Sequence, residues 1–140
     1  MFLLEMNTIS ELRKLETTRI DTNVKEWAKT TKVAQTYLSA ITIFELERGV
    51  LLIERRDPVQ GSLLRQWLDG HVLGTYAARI IPISVKVAQR CALLNVPDAK
   101  PYYDGLLAAT ALIHGLTIVT RNTRDFENTG VKLLNPWQYC

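Results

Sequence analysis

Five polar residues sit where apolar elements begin or end, and they are the ones with chemistry to offer: Glu5, Glu45, Asp104, Asn122 and Asp125. Asp104 lies in the first turn of a helix of small and apolar residues, Leu106 to Ile113. Gly115 stops that helix by taking a left-handed conformation. Asn122 follows Leu116-Thr117-Ile118-Val119, a β-branched run of the kind covered on both faces in a parallel sheet. A helix start and a strand's carboxyl end meet on one edge of an α/β sheet, the edge where such sheets bind ligands. Glu5 ends the run Phe2-Leu3-Leu4 and precedes a helix, so it reaches the same edge. Glu45 stands early in a helix that follows the strand-like Thr36-Tyr37-Leu38, and Asp125 lies in the turn past Asn122. Carboxylates gathered without matched bases repel one another. A divalent cation with hard oxygen ligands relieves the repulsion, and Mg²⁺ is held at about 2.0–2.1 Å by few protein groups and several waters. Such a centre suits phosphoryl substrates, where it polarises a phosphate oxygen and acidifies a bound water. One ion or two fit equally well.

The elements that must position these groups alternate between strand and helix along the chain. That predicts an α/β fold, a central mainly parallel sheet with helices on both faces. The strands are read at Phe2–Leu4, Thr36–Leu38, Ile80–Ile83, Leu116–Val119 and Val131–Leu134, with Pro82 placing the third at an exposed or end position. Thr8 to Glu11 has capping-box spacing, with Asn7 and Thr8 both good N-caps. Asp21 or Thr22 caps a second helix through Lys29, with Val24, Trp27 and Ala28 buried. A third helix carries the stripe Ile43, Leu46, Val50, Ile53. Within it Thr42 and Glu45 also have capping-box spacing, which on spacing alone favours a cap role for Glu45 over that of a site acid. Asp57-Pro58 restarts a helix with Val59, Leu63, Leu64, Trp67 and Leu68 as its apolar face, loosened at its far end by Gly70 and Gly74. Ser84 caps another, and Asn95 to Pro101 is the clearest loop, delivering Asp104 to its helix.

The chain of 140 residues is read as a single domain, 1–140, with 47% hydrophobic residues for one substantial core. Its net charge of +3 and pI near 9.0 are compatible with a polyanionic partner. Cys91 and Cys140 make no metal spacing and read as free thiols of a reducing compartment. His71 and His114 are too far apart to suggest a local zinc pair, and no Gly-rich phosphate loop or dinucleotide fingerprint is present. With no apolar run of membrane-spanning length and no charged-then-apolar leader, the expectation is a cytoplasmic protein.

LLEMNTISELRK near the start, LSAITIFELERGV in the middle, and YYDGLLAATALIHGLTIVTRNTRDF followed by GVKLLNPW together resemble the PIN-domain family, in particular its VapC- and FitB-type toxin ribonucleases. The resemblance covers essentially the whole chain. It implies a PIN-like three-layer α/β/α sandwich and Mg²⁺- or Mn²⁺-dependent cleavage of RNA. It also implies a homodimer, a small VapB-like antitoxin that occludes the active edge, and operator DNA reached through that antitoxin. Carried over by position, Glu5, Glu45 and Asp104 fall on the family's three acids. Asn122 falls where a fourth acid or an amide is found, with Asp125 able to replace the missing charge. Asn7 and Thr120 match supporting polar residues, and the resemblance moves Glu45 from cap to site. Arg13, Lys14, Arg121 and Arg124 are the expected phosphate contacts. One departure stands out: Glu5 takes a position where the family usually has Asp. A carboxylate moved by roughly 1 Å can lose on the order of a hundredfold in rate. The alternative function is therefore a weakened PIN domain acting mainly as antitoxin partner and operator co-repressor. A housekeeping RNA-processing or DNA-flap nuclease is a third reading.

Overall fold

The computed structural model describes all residues, Met1–Cys140. Five short strands form one all-parallel sheet in the order β3-β2-β1-β4-β5. They are β1 Phe2–Leu4, β2 Thr36–Ser39, β3 Ile80–Ile81, β4 Thr117–Val119 and β5 Lys132–Leu134. Between them run α1 Met6–Leu12, α2 Thr22–Thr30, α3 Ala40–Arg56, α4 Pro58–Gln66, α5 Leu73–Thr75, α6 Val85–Leu94 and α7 Tyr102–His114. A π-helical segment, Trp67–Val72, joins α4 to α5.

Alternation along the strands divides the interior in two. Leu3 and Ile118, paired across β1 and β4, face α7 and join Leu107, Ala108, Ala111, Leu116 and Phe126 in one cluster. Their neighbours Leu4 and Val119 face the other way, with Ile9, Trp27, Leu38, Leu46, Val50, Leu68, Val72 and Tyr76. Two packed layers around one sheet are the three-layer sandwich expected. No helix is long and apolar enough to cross a membrane.

Several local signals hold. Asp57 accepts from the Gln60 amide with Pro58 at the first helical position, Ser84 accepts from the Val87 amide, and Gly115 ends α7 at φ 65°. Asp21 caps α2 through the Val24 amide. Others fail for a shared reason. The strands β1 and β2 run into their helices without a loop, so the N-caps are Glu5 and Ser39, and the capping boxes at Thr8 and Thr42 do not form. Thr8 is instead buried, its hydroxyl donating to the Val119 carbonyl at 2.8 Å. Thr42 is buried with its hydroxyl unpartnered. Val59 and Leu63 are exposed rather than packed, because α4 turns a different face toward α3. Gly61 marks that face: a Cβ there would meet Glu54 Cα at 2.6 Å. Beside this close approach Arg65 donates to Glu47 (Nη1, 2.9 Å) and to Glu54 (Nη2, 3.1 Å), and it pairs with Asp69 at 3.3 Å.

Candidate active site

The register that sets Leu4 against Val119 brings the next residues, Glu5 and Thr120, side by side at the carboxyl edge. The Thr120 hydroxyl donates to Glu5 Oε2 and in turn accepts from the Asn122 amide at 2.9 Å. Thr120 is fully buried, so the hydrogen bond fixes one carboxylate oxygen against a rigid strand end. The same strand end is tied to α1 through Glu5, whose amide donates to the Val119 carbonyl at 3.1 Å. Asn7 Oδ1 accepts from the Arg121 amide at 3.5 Å, bridging α1 to the turn after β4.

Glu45 enters from α3, Asp104 from the first turn of α7 and Asp125 from the 3₁₀ turn Thr123–Phe126. The charges of Asp104 and Asp125 are felt by their neighbours. Burial raises the pKa of Glu5, the Thr120 hydrogen bond opposes this, and the charges of Asp104 and Asp125 push it up again. Glu45 is pushed up to about 7, first by burial and then by Glu5 and Asp104. Burial and Asp125 raise Asp104, with Lys100 pulling the other way. All five ion pairs of the protein lie elsewhere, so no Lys or Arg within 4 Å neutralises any of these acids. No three His, Cys, Asp or Glu side chains are grouped so that together they could hold a metal ion. The rim is open, acidic and partly shielded from water.

Arg121, Asn122, Thr123, Arg124, Asp125, Asn135 and Gln138 line a polar hollow of about 340 Å³ at the β4–β5 end of this rim. The Arg121 guanidinium lies 5.4 Å from the Trp137 ring centroid, which holds its charge in place. Arg13 and Lys14, expected as phosphate contacts, lie outside the hollow that Arg121 and Arg124 line. Lys14 pairs with Glu11 at 3.1 Å. Arg13 sits over Trp67 and lines an apolar cavity with Trp27, His71 and Tyr76, to which none of the acids contributes. Sequence reasoning missed Lys100, Asn135 and Gln138. It also missed Phe44 and Tyr103, each of which directly precedes a site acid in the chain.

Comparison with known proteins places this arrangement. A VapC ribonuclease, Y4jK, of Sinorhizobium fredii is 35% identical over 147 residues, covering 99% of both chains. Toxin FitB of Neisseria gonorrhoeae is 36% identical, covering 98% of this chain and 99% of its own. The crystal structure of FitAcB from Neisseria gonorrhoeae matches with a TM-score of 0.87 at 33% identity, over 99% of each chain. A structure of FitAB bound to an IR36 DNA fragment matches with the same TM-score at 30% identity, over 100% of this chain and 98% of its own. The PIN domain model matches residues 10–132. With an all-parallel five-stranded sheet, acids gathered on its carboxyl edge, and relatives alike over their full length, this chain belongs to the PIN-domain family.

Proposed function

We propose that the protein is the ribonuclease toxin of a toxin–antitoxin pair and that it hydrolyses RNA phosphodiester bonds at the Glu5–Glu45–Asp104 rim. The observation that carries this is the gathering of acids from distant segments at one sheet edge, where Asp104 and Asp125 raise the pKa of Glu5, Glu5 and Asp104 raise that of Glu45, and none is paired with a base. The names of the relatives, VapC ribonuclease and toxin FitB, support the same activity.

The donor set fits Mg²⁺ or Mn²⁺. Mg²⁺ is ordinarily bound through one or two carboxylates plus waters and substrate phosphates rather than by an all-protein cage. No group of three His, Cys, Asp or Glu side chains forms a cage here, and that habit does not require one. Glu5 and Asp104 would hold the ion, with Glu45 and Asp125 completing the charge. When bound, the cation polarises the phosphate and lowers the pKa of water. The protein's part is positional. Thr120 holds Glu5 in one orientation, Glu45 orients the attacking water, and Asn7 braces α1 against the β4 end. Asn122 leaves the site with one acid fewer, and Asp125 supplies a charge in its place. Arg121 and Arg124, with the amides of Asn135 and Gln138, would receive the phosphates of the strand beside the scissile bond.

The partner is a small VapB-like antitoxin that covers this rim and carries the complex to operator DNA. The FitAB structure, determined on a DNA fragment, supports this. A homodimer acting in the cytoplasm completes the reading. The alternative, a weakened domain serving mainly as antitoxin partner and co-repressor, rests on Glu5 standing where an Asp is usual. The Thr120 hydrogen bond argues for a working site, because it draws the longer side chain onto the β4 end. The test is cleavage of RNA by purified protein with Mn²⁺, with chelator, and by Asp104→Asn and Glu5→Asp. Wild type cuts and chelator stops it, and Asp104→Asn loses activity by on the order of a hundredfold or more. Cutting by Asp104→Asn at the wild-type rate removes the assignment. Cutting by Glu5→Asp alone establishes the weakened domain.

A further inference from the structure

Phe44 of α3 and Tyr103 of α7 stack on each other, ring centroids 5.9 Å apart and planes 27° apart. They are 50% and 38% exposed, and each is the residue immediately before a site acid, Glu45 or Asp104. Large aromatic surface is ordinarily turned inward, as Phe126 is here. This pair is instead held half in water at the mouth of an acidic rim.

We propose that the Phe44–Tyr103 pair is a nucleobase platform, on which an unpaired base of single-stranded RNA stacks next to the scissile phosphate. This rests on the ribonuclease reading above and adds to it a subsite for one base of the strand. Three observations carry it. First, the rim's carboxylates repel phosphate, so the strand needs an uncharged foothold beside them, and an aromatic face supplies one for any base. Second, the foothold and the hollow stand on different elements, Phe44 and Tyr103 on α3 and α7 beside Glu45 and Asp104, the hollow on the segments after β4 and β5 with Asp125. Phe44 follows β2, while Arg121, Arg124 and Asn135 lie at the ends of β4 and β5, with β1 and Glu5 between. Third, stacking requires a base free of its duplex, so the substrate is a single strand or loop rather than an A-form helix. The two rings come from separate helices and brace each other, so the platform is rigid before substrate arrives.

The experiment uses full-length protein with Mn²⁺ and a fluorescein-labelled random 12-mer single-stranded RNA, cut by wild type, Phe44→Leu, Tyr103→Leu and Phe44→Trp. An abasic ribose-phosphate oligomer of the same length serves as competitor. The Leu variants keep apolar bulk, and melting curves check that they fold. The expected result is a rise in KM of about tenfold for each Leu variant with kcat nearly unchanged, as loss of one base stack predicts. Phe44→Trp restores KM. The abasic competitor inhibits wild type and Phe44→Leu equally, because it has no base to stack. An unmoved KM in both Leu variants overturns the platform. So does parallel weakening of the abasic competitor, or a KM change that follows a shift from dimer to monomer in sedimentation, which would make the pair a contact with a second copy. If wild type cuts and the variants match it, the platform alone fails. If wild type does not cut with Mn²⁺, the nuclease reading fails and the platform with it.

Discussion

Replacing Glu45 by Gln should make the cation-free protein more stable, and the gain should depend on pH. Glu45 titrates at about 7 in the folded chain against an ordinary 4.5, because burial and the charges of Glu5 and Asp104 disfavour its ionised form. Below pH 4.5 the group is protonated whether the chain is folded or not, and it has no effect on stability. As pH rises from 4.5 toward 7 the unfolded chain gives up this proton and the folded chain keeps it, so stability falls, and above 7 the loss is complete. The full difference corresponds to about 3.4 kcal/mol. Glu45 is partly exposed, however, and screening by water reduces this to about 1–1.5 kcal/mol. For a chain of this size that is about 4–5 °C in melting temperature. The assay is thermal unfolding of wild type and Glu45→Gln in chelator, near pH 4.5 and near pH 8. The variant melts higher at the upper pH and level with wild type at the lower. Adding Mn²⁺ stabilises wild type more than the variant and narrows the gap, since a ligand of the folded state stabilises by mass action. Equal melting at the upper pH, or a gap that is the same at both, would refute the claim that these carboxylates confront one another unneutralised.

Three further outcomes follow from the same structure. Thr120→Val removes the donor to Glu5, and loss of a hydrogen bond to a charged group, about 1.5–3 kcal/mol, should lower kcat about 10- to 100-fold while circular dichroism stays unchanged. Gly61→Ala drives a Cβ to 2.6 Å from Glu54 Cα, an overpacking of about 1–3 kcal/mol that urea titration should report as a lower midpoint. Thr42→Val removes a buried hydroxyl without a partner and should raise stability by about 1 kcal/mol, measured the same way, with RNA cleavage unaltered.

Much of the fold could be read from residues alone, because its signals are local. Asp57-Pro58, Ser84 and Gly115 act on the backbone within one turn, and Phe2–Leu4 and Leu116–Val119 announce buried strands by composition. The rim was legible for a related reason. In a parallel sheet every strand's carboxyl end lies on one edge, so Glu5, Asp104 and Asn122 could be brought together without knowing strand order. What failed was local spacing set against tertiary demand. The capping boxes at Thr8 and Thr42 lost to strands that enter helices directly, and both threonines are buried for packing. Arg13 and Lys14 stand out in the sequence only as basic letters; where they sit, one over Trp67 and one paired with Glu11, depends on tertiary packing. The Phe44–Tyr103 stack and the Arg65 clamp depend on how α3 meets α7 and α4, which no periodicity reveals.

The outermost strands carry a consequence for how copies of this chain can meet. On one side β3 is two residues long and runs into Pro82, which has no N–H to offer. On the other, β5 is three residues long and opens with an exposed lysine. Neither border is a template on which another backbone could lay down a long ladder, and short or charged borders are how natural sheets resist aggregation. The protein is thereby protected against growing into continuous sheet when it accumulates.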